Sequence, residues 1–170
     1  LIALVDNMMI GIRDPLGVRP LILGKLNNSY ILTSETCALD IIGAEYKRDI
    51  EPGEMVLISE NNVKCLRISE PLKSRFCIFE YIYFSRPDSV INQKSVYEAR
   101  KMIGAELARE SKVSADLVIP VPDSGVPAAL GYAQESGIRF EFGIIRNHYI
   151  GRYFIQKSQD ARSYGVIRKN

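Results

Sequence analysis

The chain has 170 residues, 46% hydrophobic and 25% charged, the balance of a globular protein near the ~100–200 residues of a usual domain. No stretch approaches the ~18 uninterrupted apolar residues of a membrane span, and the apolar start at 1–5 is cut by Asp6 with no basic leader before it. A soluble, cytoplasmic protein with no membrane partner is expected; the net charge of +2 conceals a basic tail, seven Lys/Arg against two acids over 139–170.

That tail suits a polyphosphate partner. With no aromatic–basic RNA motif and no zinc-ligand spacing, no nucleic-acid partner is expected. The absent initiator methionine and the basic stop at Arg168-Lys169-Asn170 suggest an internal piece of a longer protein.

From the N-terminus, apolar runs at 1–5, 9–12, 21–23, 30–32, 55–58 and 63–68 alternate with turn signals and are expected to be strands. Asp14-Pro15-Leu16-Gly17, Asn27-Asn28 and Asn61-Asn62 punctuate them, because Asn, Asp and Gly tolerate the backbone of tight turns. One short helix interrupts this meander at 36–43. Ser34 is the candidate N-cap, Leu39 and Ile42 share a face, and Gly43 ends the run.

Residues 77–84 are almost continuously apolar and aromatic, broken only by Glu80, and predict a buried connector that turns at Arg86-Pro87-Asp88. A long helix follows over 95–112 with Val96, Ala99, Ile103 and Leu107 on one stripe. Then comes strand 116–121, loop 122–125, helix 126–135 closed by Gly137, and strand 140–145. That order predicts a βαβ unit with a parallel sheet.

Three cysteines without C-x-x-C spacing fit neither a disulfide framework nor a self-contained zinc site. Cys37 and Cys65 lie in apolar-patterned segments and are expected as small core residues. Two stretches carry candidate chemistry. Pro122-Asp123-Ser124-Gly125 sits where a parallel strand ends and a helix begins, where backbone N–H groups and the helix dipole favour phosphate. Loops of this kind also occur that bind nothing. Residues 146–155 interleave cations and aromatics around Gly151, a composition that fits a phosphate-binding lid or an ordinary surface hairpin.

Four stretches, in this order, resemble the amidophosphoribosyltransferase family: Arg13-Asp14-Pro15-Leu16-Gly17-Val18-Arg19-Pro20-Leu21; Ser34-Glu35-Thr36-Cys37-Ala38 with Glu51-Pro52-Gly53-Glu54-Met55; Phe79-Glu80-Tyr81-Ile82-Tyr83-Phe84-Ser85-Arg86-Pro87-Asp88-Ser89; and Val121-Pro122-Asp123-Ser124 with 146–155. The resemblance implies an α/β plus α+β chain. Residues 1–75 would be the β-rich C-terminal part of an N-terminal-nucleophile glutaminase domain, 76–94 a connector, and 95–170 the first βαβ part of a type I phosphoribosyltransferase domain.

It also implies an enzyme of purine synthesis that uses glutamine-derived ammonia and phosphoribosyl pyrophosphate to make phosphoribosylamine, diphosphate and glutamate. By similarity, Asp123, Ser124 and Gly125 cradle the diphosphate, Ser124 is a Mg2+ ligand, and Arg146 and Gly151 bind substrate. Tyr149 and Arg152 are the catalytic candidates of a closing loop, and Phe154 and Ile155 wall the ammonia channel. Cys77 matches a [4Fe–4S] ligand in those members that carry a cluster, with a buried thiol as the other reading.

The resemblance further implies inhibition by purine nucleotides and a full-length homo-oligomer, dimer or tetramer. Leu1 carries no thiol, so the nucleophile is expected outside this stretch and the piece alone is expected to be inactive. Tyr153 and Lys157 stand where threonine and proline are expected. The competing readings are a salvage-type phosphoribosyltransferase beside an unrelated β-domain, and a non-catalytic interaction module.

Overall fold

The computed structural model describes residues 1–60, 62–70, 72–147, 149, 158–160 and 163. They divide into two compact units, Leu1–Tyr97 and Glu98–Asn170.

The first unit is built from antiparallel strands. In chain order these are β1 (Ile2–Val5), β2 (Met8–Ile12), β3 (Ile22–Leu26), β4 (Ser29–Thr33), then helix α1 (Thr36–Ile42), then β5 (Glu45–Asp49), β6 (Glu54–Ser59) and β7 (Asn62–Arg67). Two sheets result, ordered β1-β2-β6-β7 and β4-β3-β5. The six expected strands are all present. β5 is an addition: Glu-Tyr-Lys-Arg-Asp shows no apolar alternation, yet it pairs with β3 through a register shift at Leu23/Gly24.

β6 alternates inward and outward residues, burying Glu54, Val56 and Ile58. Leu21, Leu23, Ile50, Val56 and Ile58 form the core, drawn from both sheets, with Met9, Tyr30, Leu32 and Val63 packed against it. Cys65, expected in this core, is exposed on β7, where its sulfur accepts a hydrogen bond from Arg48 Nη2 at 3.0 Å. Its apolar neighbours Val63 and Leu66 take the half-buried places on that strand instead.

α1 ends as expected on Gly43, in the left-handed conformation with φ 69°. Its start differs. Glu35, not Ser34, is the N-cap, and no side chain caps the first turn. The inward residues are Cys37 and Leu39, while Ile42 is half exposed. Burial raises the Cys37 thiol pKa above its ordinary value.

The Glu35 carboxylate is engaged 51 and 54 residues away. It accepts the Arg86 N–H at 2.8 Å and the hydroxyl of fully buried Ser89 at 2.9 Å. Beside it the Thr36 hydroxyl accepts the Val90 N–H at 2.8 Å. The second and third resemblance stretches therefore meet in space.

The first stretch folds around Asp14, whose carboxylate accepts the N–H groups of Leu16 at 3.0 Å and Val18 at 3.1 Å, fixing the turn. Buried Arg13 donates to the Ile50 carbonyl at 2.7 Å. The extended chain before residue 78 lies against this turn through Leu72 N–H to Pro15 O, Arg75 N–H to Leu16 O and Cys77 N–H to Val18 O.

Residues 77–84 correct the expectation of a buried connector. A π-helical turn spans Glu80–Phe84, and it inverts the usual burial. Glu80 is 1% exposed, whereas Ile78, Phe79, Ile82, Tyr83 and Phe84 lie 45–64% exposed. A helical turn offers one inward face, and Glu80 and Tyr81 occupy it. The Glu80 carboxylate is compensated by an ion pair with Arg19 and by the Ser85 hydroxyl donating at 2.6 Å; the Tyr81 hydroxyl donates to Ile91 O at 2.7 Å. A small hairpin follows, β8 (Val90–Ile91) and β9 (Lys94–Ser95).

Helix α2 (Val96–Glu110) begins at the end of the first unit. Within the second unit come β10 (Leu117–Val118), α3 (Val126–Ser136) and β11 (Arg139–Phe140). β10 and β11 pair in parallel, Leu117 with Arg139 and Val118 with Phe140, so the expected βαβ order is present with shorter strands.

The apolar stripe expected on α2 is corrected beyond Val96. Ile103 and Leu107 are 46% and 52% exposed, and the buried positions are Arg100, Gly104 and Ala108. The reason is contact between backbones. A Cβ added to Gly104 would lie 1.8 Å from the Ala128 carbonyl oxygen, and one added to Gly131 1.9 Å from that of Lys101. The α2–α3 crossing therefore admits only small residues, and bulky side chains stay outside it.

Candidate functional site

The loop at 122–125 leaves β10 and enters α3 as expected. Gly125 N–H donates to Val121 O at 3.1 Å and Val126 N–H to Asp123 O at 3.4 Å, which closes the loop into a tight turn beneath the helix. The Pro122–Asp123 peptide is cis. A Cβ on Gly125 would stand 2.6 Å from the Val121 carbonyl oxygen, so the turn has room for glycine alone. The 11-residue α3 points its N-terminal dipole end at this loop, with Pro127 in its first turn.

Ser124 is half-buried, and neither its amide nor its hydroxyl has a hydrogen-bond partner among the described residues. Arg146, six residues beyond β11, reaches the same loop. Its Nη1 donates to Asp123 Oδ2 at 2.6 Å, with the two side chains 39% and 57% exposed. Its Nε is buried without a hydrogen-bond partner among the described residues. Asp123, Ser124, Gly125 and Arg146 are thus brought together at a helix N-terminus, with the Ser124 amide and hydroxyl and Arg146 Nε left as donors, an arrangement suited to an anion.

The Asp123–Arg146 ion pair was not foreseen; a lone cation just after the second strand of a βαβ unit is the signal that could have pointed to it. Tyr149 has a fully exposed side chain, and its N–H is bonded to Asn147 Oδ1 at 3.0 Å. Gly151, Arg152, Phe154 and Ile155, with Tyr153 and Lys157, lie outside the described residues.

Cys77 belongs to the first unit and is half-buried. Among the described residues no three His, Cys, Asp or Glu side chains converge on a point that could hold a metal. A four-iron cluster takes four thiolates, of which this stretch offers Cys77 as one candidate, with Cys37 buried and Cys65 exposed on β7.

A parallel βαβ unit whose first loop is suited to an anion and an antiparallel two-sheet unit define a mixed α/β protein of two parts. No family model matches the chain. It is 51% identical over 175 residues to an amidophosphoribosyltransferase of Rhizobium etli, covering 100% of this chain and 35% of that protein. To that of Synechocystis it is 53% identical over 164 residues, covering 95% and 33%, and to that of Bacillus subtilis 49% over 166, covering 98% and 35%.

Among solved structures it matches the glutamine phosphoribosylpyrophosphate amidotransferase of B. subtilis complexed with ADP and GMP, with a TM-score of 0.85 and 48% identity over 97% of this chain and 36% of that one. The chain belongs to the amidophosphoribosyltransferase family. It spans about a third of the length of the curated relatives it matches.

Proposed function

We propose that the protein carrying this chain makes 5-phosphoribosylamine from phosphoribosyl pyrophosphate and glutamine-derived ammonia, as an early step of purine synthesis. Residues 1–75 serve as the C-terminal part of a glutaminase domain, 76–94 as the connector, and 95–170 as the start of the phosphoribosyltransferase domain. The observation that carries this reading is the loop at 122–125, where Ser124 and Arg146 Nε are donors without partners among the described residues at the N-terminus of α3.

The chemistry follows from those donors. Departure of diphosphate from C1 of the sugar concentrates negative charge on the leaving oxygens. The Ser124 amide and hydroxyl, the α3 dipole and the Arg146 guanidinium stabilise that charge where it develops. Ser124 also has the hydroxyl that a Mg2+ ion arriving with substrate phosphates would accept as one oxygen ligand, and bound Mg2+ would neutralise the diphosphate further. Gly125 keeps the backbone close enough for this contact.

The stretch from Tyr149 through Gly151, Arg152, Phe154 and Ile155 closes over the substrate, excludes water, and lines the path by which ammonia arrives. Purine nucleotides inhibit the enzyme, in line with the ADP and GMP held by the B. subtilis relative, and the full-length protein assembles as a homo-oligomer.

The test is a full-length assay of diphosphate release from phosphoribosyl pyrophosphate with glutamine, and separately with ammonium, as nitrogen source. Release with both is expected, and Ser124→Ala is expected to weaken Mg2+-dependent substrate binding. No release with either nitrogen source would overturn the reading.

A further inference from the structure

We propose that Asp123 is a positioning residue rather than a ligand of the substrate or its metal: its carboxylate anchors one corner of the Arg146 guanidinium so that the Nε N–H is left to donate to the diphosphate. This inference rests on the functional reading above. A bare carboxylate inside an anion site works against the site, because like charges at a few ångströms repel. Here the charge is cancelled by the contact with Arg146 Nη1 at 2.6 Å.

Guanidinium is planar and presents its donors in a fixed fork, so fixing one nitrogen fixes the direction of the others. Arg146 Nε lies on that same rigid plane, is buried, and has no partner among the described residues. A buried donor left unbonded is costly, and such a group is expected to be completed by a ligand. The carboxylate thus spends its charge on aiming the cation, and the anion meets Ser124 and Nε.

The experiment is calorimetric titration of the full-length protein with inorganic diphosphate and Mg2+, using Asp123→Ala, Asp123→Asn, Arg146→Ala and the double variant Asp123→Ala/Arg146→Ala. Asp123→Ala is expected to weaken binding about tenfold, and Asp123→Asn, whose amide oxygen still accepts from Nη1, by less than about threefold. Arg146→Ala weakens binding at least as much as Asp123→Ala, and adding Asp123→Ala to it costs nothing more.

An equal loss from Asp123→Ala in both backgrounds would mean that the carboxylate touches diphosphate or Mg2+ itself and would overturn the proposal. Unchanged or tighter binding by Asp123→Ala, or a loss with Asp123→Asn as large as with Asp123→Ala, would overturn it too. Failure of the unsubstituted protein to bind diphosphate would instead remove the functional reading beneath it.

Discussion

The two units solve the problem of a stable interior by opposite means. In Leu1–Tyr97 branched side chains from two sheets fill the space, with Ile50 and Val56 fully buried. In the second unit α2 and α3 approach until their backbones touch, and the interface is made by leaving side chains out at Gly104 and Gly131. One chain therefore contains a region sensitive to lost volume and another sensitive to added volume. For the loop at 122–125 the consequence is geometric: α3 is seated on a backbone, which adjusts less than a side-chain layer.

The sharpest test removes volume from the first unit. Ile50→Ala deletes a fully buried side chain, and the expected cost is about 4 kcal/mol, read as the opening free energy of β6 amides in hydrogen exchange. The complementary test adds one carbon to the second. Gly104→Ala gains roughly 1 kcal/mol of helix propensity but forces a Cβ into the Ala128 carbonyl, leaving a net loss of about 2 kcal/mol in the exchange of α3 amides. If Gly104→Ala stabilised α3, the contrast between the units would be broken.

A third test concerns charge. The Glu54 carboxylate sits in a fork of Arg48, with oxygens 2.6 and 2.8 Å from its Nη atoms, and accepts the Glu51 N–H at 2.7 Å. The hydrogen bonds from Arg48 hold its pKa below the ordinary glutamate value. A depressed carboxylate contributes stability that is present above its unfolded pKa and is lost as pH falls through its folded one. Protection of β6 and β7 amides is therefore expected to decline with acidification below the ordinary glutamate range. Glu54→Gln should flatten that decline while lowering stability at neutral pH by about 1 kcal/mol.

The smallest effect is expected at the surface of the second unit. Arg109 pairs with Glu135 and Glu106 at 2.9 Å, but in solvent, and Glu106→Gln should change α3 exchange by less than about 0.5 kcal/mol.

Much of the fold was legible because its signals are local. Alternating apolar runs marked six strands of the first unit, Gly43 marked the end of α1, and the order of elements marked the βαβ unit. What was not legible depends on partners distant in sequence. β5 is a strand because β3 offers it a free edge, not because Glu-Tyr-Lys-Arg-Asp alternates. Glu80 is buried where Arg19 pairs with its charge and Ser85 donates to it, so the apolar run around it reads as a core that it does not form.

The stripe through Ile103 and Leu107 pointed the wrong way because hydrophobic patterning assumes contact through large apolar side chains, and at Gly104 this helix makes contact through its backbone. At the site, the loop from Pro122 to Gly125 could be read from a strand meeting a helix. The engagement of Arg146 with Asp123 joins residues 23 apart and needed the folded chain.

The Glu35 carboxylate, bonded to Arg86 and Ser89 across more than fifty residues of sequence, makes two distant stretches a single heritable unit. A shortened acid at position 35 would give up the Arg86 N–H and the Ser89 hydroxyl together, loosening both stretches at once.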